Sequence, residues 1–386
     1  MRLSKVLVST LLGTGLPLLA RPAQAADPAP AGLGANAALD YWQAIYFAPK
    51  LDEQREKALD DSTARMPDET AEKLAEDGAR SISFVRLGAA QPACNWGLPL
   101  EQQGLTTLMP ELSAARTLAR LMLVQSRLEI RDGKGTDAAD DLFSTLTMGR
   151  HVASDNLIIG LMVDYGIEAM TIDSAGADLP RLDHAALDRL AASLKKLAPR
   201  PPLGRAVRAQ QLVGQQWLIT HLKQDRGPEW RTNLARMFGS EDPTNASARI
   251  LASFDNAQSL VAGLEELNPL FDRLEQAADM PYDQFEKSWP EIQKLIRSKP
   301  ATELVMFGDF QRVRRLKAAA EVRVALLAAA IDVVRAGPDT LKSHPDPFGT
   351  GPFTYRGEAR NFELSSALTG RDGRPVTLKV GIPQTR

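Results

Sequence analysis

The sequence predicts an all-α fold, stacked antiparallel helical hairpins followed by a small C-terminal β-meander. Two observations carry this. Apolar residues recur at three- and four-residue steps through long stretches whose ends are marked by capping residues, Gly or Pro. After Gly337 that rhythm gives way to short β-prone runs separated by turn residues.

The N-terminus comes first. Arg2 and Lys5 precede an apolar run from Val6 to Ala20, and Ala23-Gln24-Ala25 supplies an A-x-A end. Residues 1–25 are expected to be a cleaved signal peptide, because the run contains Gly13, Gly15 and Pro17 and falls short of the about 20 residues a membrane span needs. No cysteine stands just after the run, the only one being Cys94, so the expected product is exported, periplasmic or extracellular, and not a lipoprotein. Residues 26–35, mostly Pro, Ala and Gly, read as a flexible tether with too little apolar surface to fold.

From Asn36 onward the chain reads as capped helices. Asn36 can cap a helix carrying Leu39, Trp42, Ile45 and Tyr46, and Asp68 can open the next, with Glu69 and Glu72 favouring its dipole. Pro110 starts a helix that reaches Arg131, where Asp132-Gly133-Lys134-Gly135 ends it. Returning helices are expected over Ala138–Ala153, Leu157–Ile172 and Leu182–Leu197, the last opened by Asp183. Pro199-Arg200-Pro201-Pro202 then reads as a boundary between helical lobes at 36–198 and 203–336, or as an ordinary turn between helices. The second lobe is expected to hold helices at Leu203–Gln224, Ala246–Leu267, Tyr282–Ile296 and Thr302–Arg335. In the last of these Phe310, Val313, Ala320, Val324, Leu327, Ile331 and Val334 line one face. Gly337-Pro338 stops it, leaving 337–386 as a β-appendage.

Three resemblances accompany these elements. Helices paired across Gly-containing turns, as in Leu118 to Arg150, loosely resemble tetratricopeptide hairpins, although no 34-residue period recurs. The order His344-Pro345-Asp346-Pro347-Phe348-Gly349, Pro352-Phe353-Thr354-Tyr355, Phe362-Glu363-Leu364-Ser365 is similar to the tail of type II secretion major pseudopilins. That likeness implies a small β-meander, and the acidic calcium loop of that family is reduced here to Asp372. Across the wider chain, the aromatic Tyr41-Trp42 helix and the Cys94-Asn95-Trp96-Gly97 turn resemble exported bacterial all-helical proteins of uncharacterised function, which imply no particular chemistry.

Composition narrows the function classes. The 386 residues include one cysteine, Cys94, so an exported form has no intramolecular disulfide and depends on burial for stability. Removal of Arg2, Lys5 and Arg21 with the leader leaves 43 basic against 48 acidic residues, net −5. No global field of that sign recruits nucleic acid or anionic lipid.

Candidate chemistry is sparse. The Leu157–Ile172 helix is apolar on every side, which predicts a buried central position, and Asp164 and Glu168 stand one turn apart within it. A buried carboxylate needs a partner or a proton. Arg116, Arg120, Arg127 and Arg131 fall within a wedge of about 60° on the Pro110 helix. Such a strip either holds an acidic ligand by bidentate contacts or pairs with Asp137, Asp140, Asp141, Asp164 or Glu168. His151 and Asp155, His184 and Asp188, and His221 and Asp225 each stand four apart, but on different helices, so no metal site is expected. Ser193-Leu194-Lys195-Lys196 and Ser154-Asp155-Asn156 spell fragments of the penicillin-binding signature in reversed order and without K-T-G. Cys94 reads as a buried apolar residue or as a reactive thiol.

The resulting expectation is a non-catalytic scaffold or binding protein of the cell envelope, with another protein or an envelope component as partner. No cofactor, nucleic acid or integral membrane association after cleavage is expected. The alternative is an all-α enzyme acting on an anionic substrate, with Asp164 or Glu168 as acid or base and the arginine strip as its binding element.

Overall fold

In the computed structural model, described residues are 36–52, 55–56, 59, 66–224, 227, 229–237, 246–305, 309–358 and 360–381. The expected signal peptide (1–25) and tether (26–35) lie outside them. Helix α1 spans Ala37–Tyr46, and the Asn36 side chain caps it by accepting from the Ala38 N–H at 3.2 Å. Helices α2 (Asp68–Asp77) and α3 (Ala79–Ala89) follow, with Asp68 and Glu69 in the first turn of α2. Pro110 occupies the first turn of α4 (Pro110–Arg131), where its missing N–H costs nothing. The turn after α4 contains Gly133 at φ 76°, a conformation an L side chain resists. Helices α5 (Gly135–Val152) and α6 (Ile158–Asp178) fold back in succession. Helix α7 (His184–Leu194) starts where Asp183 accepts from the Ala186 N–H at 2.8 Å.

The second half differs from expectation in three places. The Leu203–Gln224 stretch is α8 (Leu203–Gln210), a π-helical segment (Gln211–Gln216) and α9 (Trp217–Gln224). The π segment turns the amides of Gln211 and Gln215 onto Asn268 Oδ1, at 3.1 and 2.9 Å. After α10 (Trp230–Met237), the single helix expected over Ala246–Leu267 is two, α11 (Ala246–Ala252) and α12 (Ala257–Glu265). Asn256 and Ser259 break it by forming a reciprocal capping box, which satisfies otherwise orphaned N–H groups. Helices α13 (Asn268–Asp279) and α14 (Tyr282–Arg297) follow. The Thr302–Arg335 stretch is also divided, into a one-turn helix at Thr302–Val305 and α15 (Phe310–Ala336), which Asp309 caps through the Arg312 N–H at 3.1 Å.

Three apolar clusters form the interior. One joins Tyr41, Leu74, Val85, Leu118 and Met148; a second joins Leu218, Phe271, Phe285, Trp289 and Phe310; a third joins Leu142, Leu187, Leu326, Phe362 and Leu378. Helix α6 enters all three, through Leu161, Ile167 and Ile172. Each such aliphatic side chain contributes roughly 1.5–3 kcal/mol on burial, which is why a helix apolar on every side lies at the centre. Helix α15 begins among second-half residues at Phe310 and ends against first-half helices and the sheet at Ile331.

The chain is thus mostly helical with a small C-terminal antiparallel sheet, in the order β1 (Thr354–Glu358), β2 (Asn361–Thr369), β3 (Pro375–Val380). Phe362 and Leu364 face inward with Leu378 and Val380, while Glu363 and Ser365 alternate to the outer face with Thr377 and Lys379. Among the described residues no helix is long and apolar enough to cross a membrane.

Candidate functional site

The α5–α6 hairpin turns back at residues 153–157, with Asn156 at φ 56°, and so sets Arg150 against Asp164 and Glu168. Arg150 Nη1 lies 2.5 Å from Asp164 Oδ1, and Arg150 Nη2 lies 2.5 Å from Glu168 Oε2. Arg200, from the proline-rich segment after α7, closes the square. Its Nε is 2.5 Å from Asp164 Oδ2 and its Nη2 is 2.6 Å from Glu168 Oε2. Both carboxylate side chains are 0% exposed.

Further contacts fix the arginines. Arg150 Nε donates to the Ala198 carbonyl at 3.1 Å, and the Arg200 guanidinium lies 4.9 Å from the centroid of the Tyr165 ring. Burial opposes the Arg200 charge, but attraction to Asp164 and Glu168 outweighs it, and its pKa rises above the ordinary arginine value. Two anions and two cations cancel, so the square is a neutral buried clamp between α5, α6 and the segment linking the halves. Glu168 Oε1 alone among its carboxylate oxygens has no hydrogen-bond partner among the described residues.

A cleft of about 630 Å³ opens beside this clamp. Arg150, Arg200, Pro199 and Tyr165 line it together with Lys317 and Glu321 of α15. Lys317 Nζ is 3.0 Å from Glu321 Oε1 and 3.7 Å from Asp279 Oδ1. Asp279 also accepts from the N–H groups of Leu203 and Gly204, at 3.1 and 2.8 Å, and so satisfies the start of α8.

The arginine strip lies elsewhere. Arg127 pairs with Asp68, and Arg131 with Glu72 at 2.6 Å and Asp132 at 2.8 Å, which binds α4 to α2. Arg116 is exposed and Arg120 half-buried on the same helix. None of the four is an ion-pair partner of Asp164 or Glu168, whose arginines are Arg150 and Arg200. Asp140 pairs with Arg189 at 2.6 Å. Asp141 belongs to a second buried cluster that sequence reasoning missed. Arg86 Nε reaches Asp141 Oδ1 at 2.6 Å and Arg86 Nη2 reaches Glu129 Oε1 at 2.9 Å. Burial pushes Glu129 up to about 7.

The histidines also separate. His151 Nδ1 is 2.9 Å from the Tyr41 hydroxyl, and its carbonyl accepts from Trp96 Nε1 at 2.9 Å. Burial lowers its pKa to about 4, which leaves the ring neutral at pH 7. Burial also raises Asp155, to about 6. His184 begins α7, and Asp188, one turn on, pairs with Arg335 at 2.5 Å. His221 stacks on Trp217, and Asp225 lies outside the described residues. Among the described residues no three His, Cys, Asp or Glu side chains converge as metal ligands. Cys94 is half-buried beside Ser154, and burial pushes its thiol up to about 12.

The fold and site define a helical protein with a β-appendage and a neutral ionic clamp beside an interhelical cleft. Neither a family model, a curated protein nor a solved structure matches the chain.

Proposed function

We propose that the chain is a non-catalytic binding protein of the cell envelope, a helical scaffold whose cleft beside Arg150 and Arg200 receives its ligand or partner. One observation carries this reading: Asp164 and Glu168, the carboxylates expected to serve as acid or base, are enclosed and each bridged by two arginines. A general acid or base must reach the proton it transfers, and these carboxylates are turned to guanidinium groups instead. The cleft offers shape, an aromatic wall and fixed charges, which suit recognition more than proton transfer. Residues 1–25, read as a leader, support the envelope as the place of action.

The test uses the chain from Ala26 onward. Saturable co-sedimentation with isolated cell envelopes is expected, and a Lys317→Ala/Glu321→Ala pair should weaken it at least tenfold. No hydrolysis of p-nitrophenyl phosphate or p-nitrophenyl acetate above background is expected. Turnover that disappears in a folded Asp164→Asn variant would overturn the proposal in favour of the enzyme, and the lack of any saturable retention would overturn the binding role itself.

A further inference from the structure

The outer face of the sheet forms the floor of a second and larger groove, about 1060 Å³, remote in sequence from the clamp. Its walls come from the 349–352 loop and from the turn between β2 and β3, and Arg323 of α15 reaches it. The floor is built in cross-strand rows. Arg356 pairs in register with Glu363, and Glu363 with Lys379, so one carboxylate stands between two cations. With strands about 4.8 Å apart, those cations are rooted about 10 Å from each other. The adjacent row on the same face is Thr354, Ser365 and Thr377, all hydroxyls, with Ser365 Oγ 3.0 Å from Thr377 Oγ1.

The charges of this groove are unequally engaged. Asp346 is buried and already accepts from the Phe348 N–H, the Ser366 hydroxyl and the Ala367 N–H, at 3.0, 2.7 and 2.6 Å. Asp372 lies 3.7 Å from Arg374. Among the described residues no carboxylate comes within 4.0 Å of Arg323, Arg356 or Lys379. Arg323 Nε is moreover buried with no hydrogen-bond partner. Arg323, Arg356, Arg374 and Lys379 against Asp346, Glu363 and Asp372 leave the lining with an excess of one positive charge, on a chain of net charge −2. A guanidinium left unpaired at a groove wall is a site for a carboxylate or phosphate, which it can grip bidentately.

The lining also limits what else the ligand carries. It contains no aromatic ring, and its apolar members are small or belong to prolines and Val376. Such a floor suits neither an acyl chain nor a hydrophobic peptide. Hydroxyls in a row, with Glu363 as acceptor, match a ligand that itself bears hydroxyl groups. We propose that this groove binds an acidic sugar, a saccharide unit carrying a carboxylate or a phosphate, with Arg323 and Arg356 holding the acid group and the Thr354–Ser365–Thr377 row the hydroxyls. The volume exceeds that of one such unit, so a short acidic oligosaccharide fits as well.

Ligand-observed saturation-transfer NMR with the full chain tests this, using glucuronate, glucose 6-phosphate and glucose as probes. Saturable binding of at least one acid is expected, with glucose at least tenfold weaker, and the acid that binds identifies carboxylate or phosphate as the group recognised. Arg323→Gln and Arg356→Gln should each weaken that binding at least fivefold. Arg356 is exposed, so its replacement leaves the fold intact and serves as the control if Arg323→Gln is destabilised. Binding should also weaken as salt is raised from 20 to 300 mM, since the charges are open to solvent. The proposal is overturned if neither acid binds saturably, if glucose binds as well as the acids, or if Arg356→Gln binds like the parent. None of these results depends on the cleft beside Arg150.

Discussion

Arg150 and Asp164 meet at 2.5 Å with their side chains 6% and 0% exposed, so removing either one leaves the buried square with an uncompensated charge. Asp164→Ala leaves two guanidinium groups facing Glu168 alone. It should lower unfolding free energy by about 3–5 kcal/mol in urea titrations. The double variant Arg150→Met/Asp164→Leu keeps the Arg200–Glu168 pair and fills the vacated space with apolar atoms. It should therefore be more stable than Asp164→Ala alone. A double variant as unstable as the sum of its singles would show that the clamp is not a coupled unit.

How much of this was legible depended on distance along the chain. Asn36 and Asp183 mark their helices because each caps an N–H two or three residues away, and Pro110 marks the start of α4 by its own chemistry. The break before α12 is equally local, in Asn256 and Ser259, but an unbroken apolar period from Ala246 to Leu267 hid it. The partners of Asp164 are another matter. Arg150 and Asp164 stand symmetrically about Leu157, so antiparallel hairpin geometry pairs them, and that signal was available. Arg200 sits in a proline-rich turn whose path is set by packing, and nothing near it in sequence points to Glu168. The outer sheet face was predictable as a face, whereas its register, and the arrival of Arg323 from another helix, depend on tertiary contacts.

His151 should make stability fall in acid. Burial holds its folded pKa at about 4, against 6.5 ordinarily. Between these values the unfolded chain binds a proton that the native chain does not, so stability is present above pH 6.5 and is lost as pH falls toward 4. The loss is of order 2–3 kcal/mol. Asp155, raised to about 6 from 3.8, acts with the opposite sign, its contribution being lost as pH rises through 6. Comparison with His151→Gln isolates the histidine. The stability advantage of the parent over this variant should shrink by that amount between pH 7 and pH 4, measured by urea unfolding, and an advantage constant with pH would refute the assignment.

Cys94 should be a slow nucleophile despite standing alone. The thiolate is the reactive form, and burial keeps the thiol protonated up to about pH 12. Alkylation by iodoacetamide at pH 8, followed by mass spectrometry, should be at least about 100-fold slower in the native chain than in urea. Equal rates would mean that the Cys94 loop is open to solvent in the native state.

Gly176 joins the helix of the clamp to the sheet of the proposed sugar groove. It lies near the end of α6, which also carries Asp164 and Glu168, and its carbonyl accepts from the Gly381 N–H at 3.1 Å. A Cβ at this position would come 2.6 Å from Leu378 Cδ1 and 2.8 Å from the Lys379 carbonyl. The leucine tip can swing aside, but the carbonyl belongs to β3 and moves only with the strand. Gly176→Ala gains about 1 kcal/mol of helix propensity and loses about 1–3 kcal/mol to overpacking, so a small net destabilisation is expected. Gly176→Leu leaves no such balance and should lift β3 from the helix. Hydrogen exchange should then show lost protection in β2 and β3, with protection retained in α4, whose apolar partners lie largely in a different cluster. Unchanged protection across β3 in Gly176→Leu would mean that the sheet is not seated through this contact, and that the groove floor is held by its own ladder and by α15.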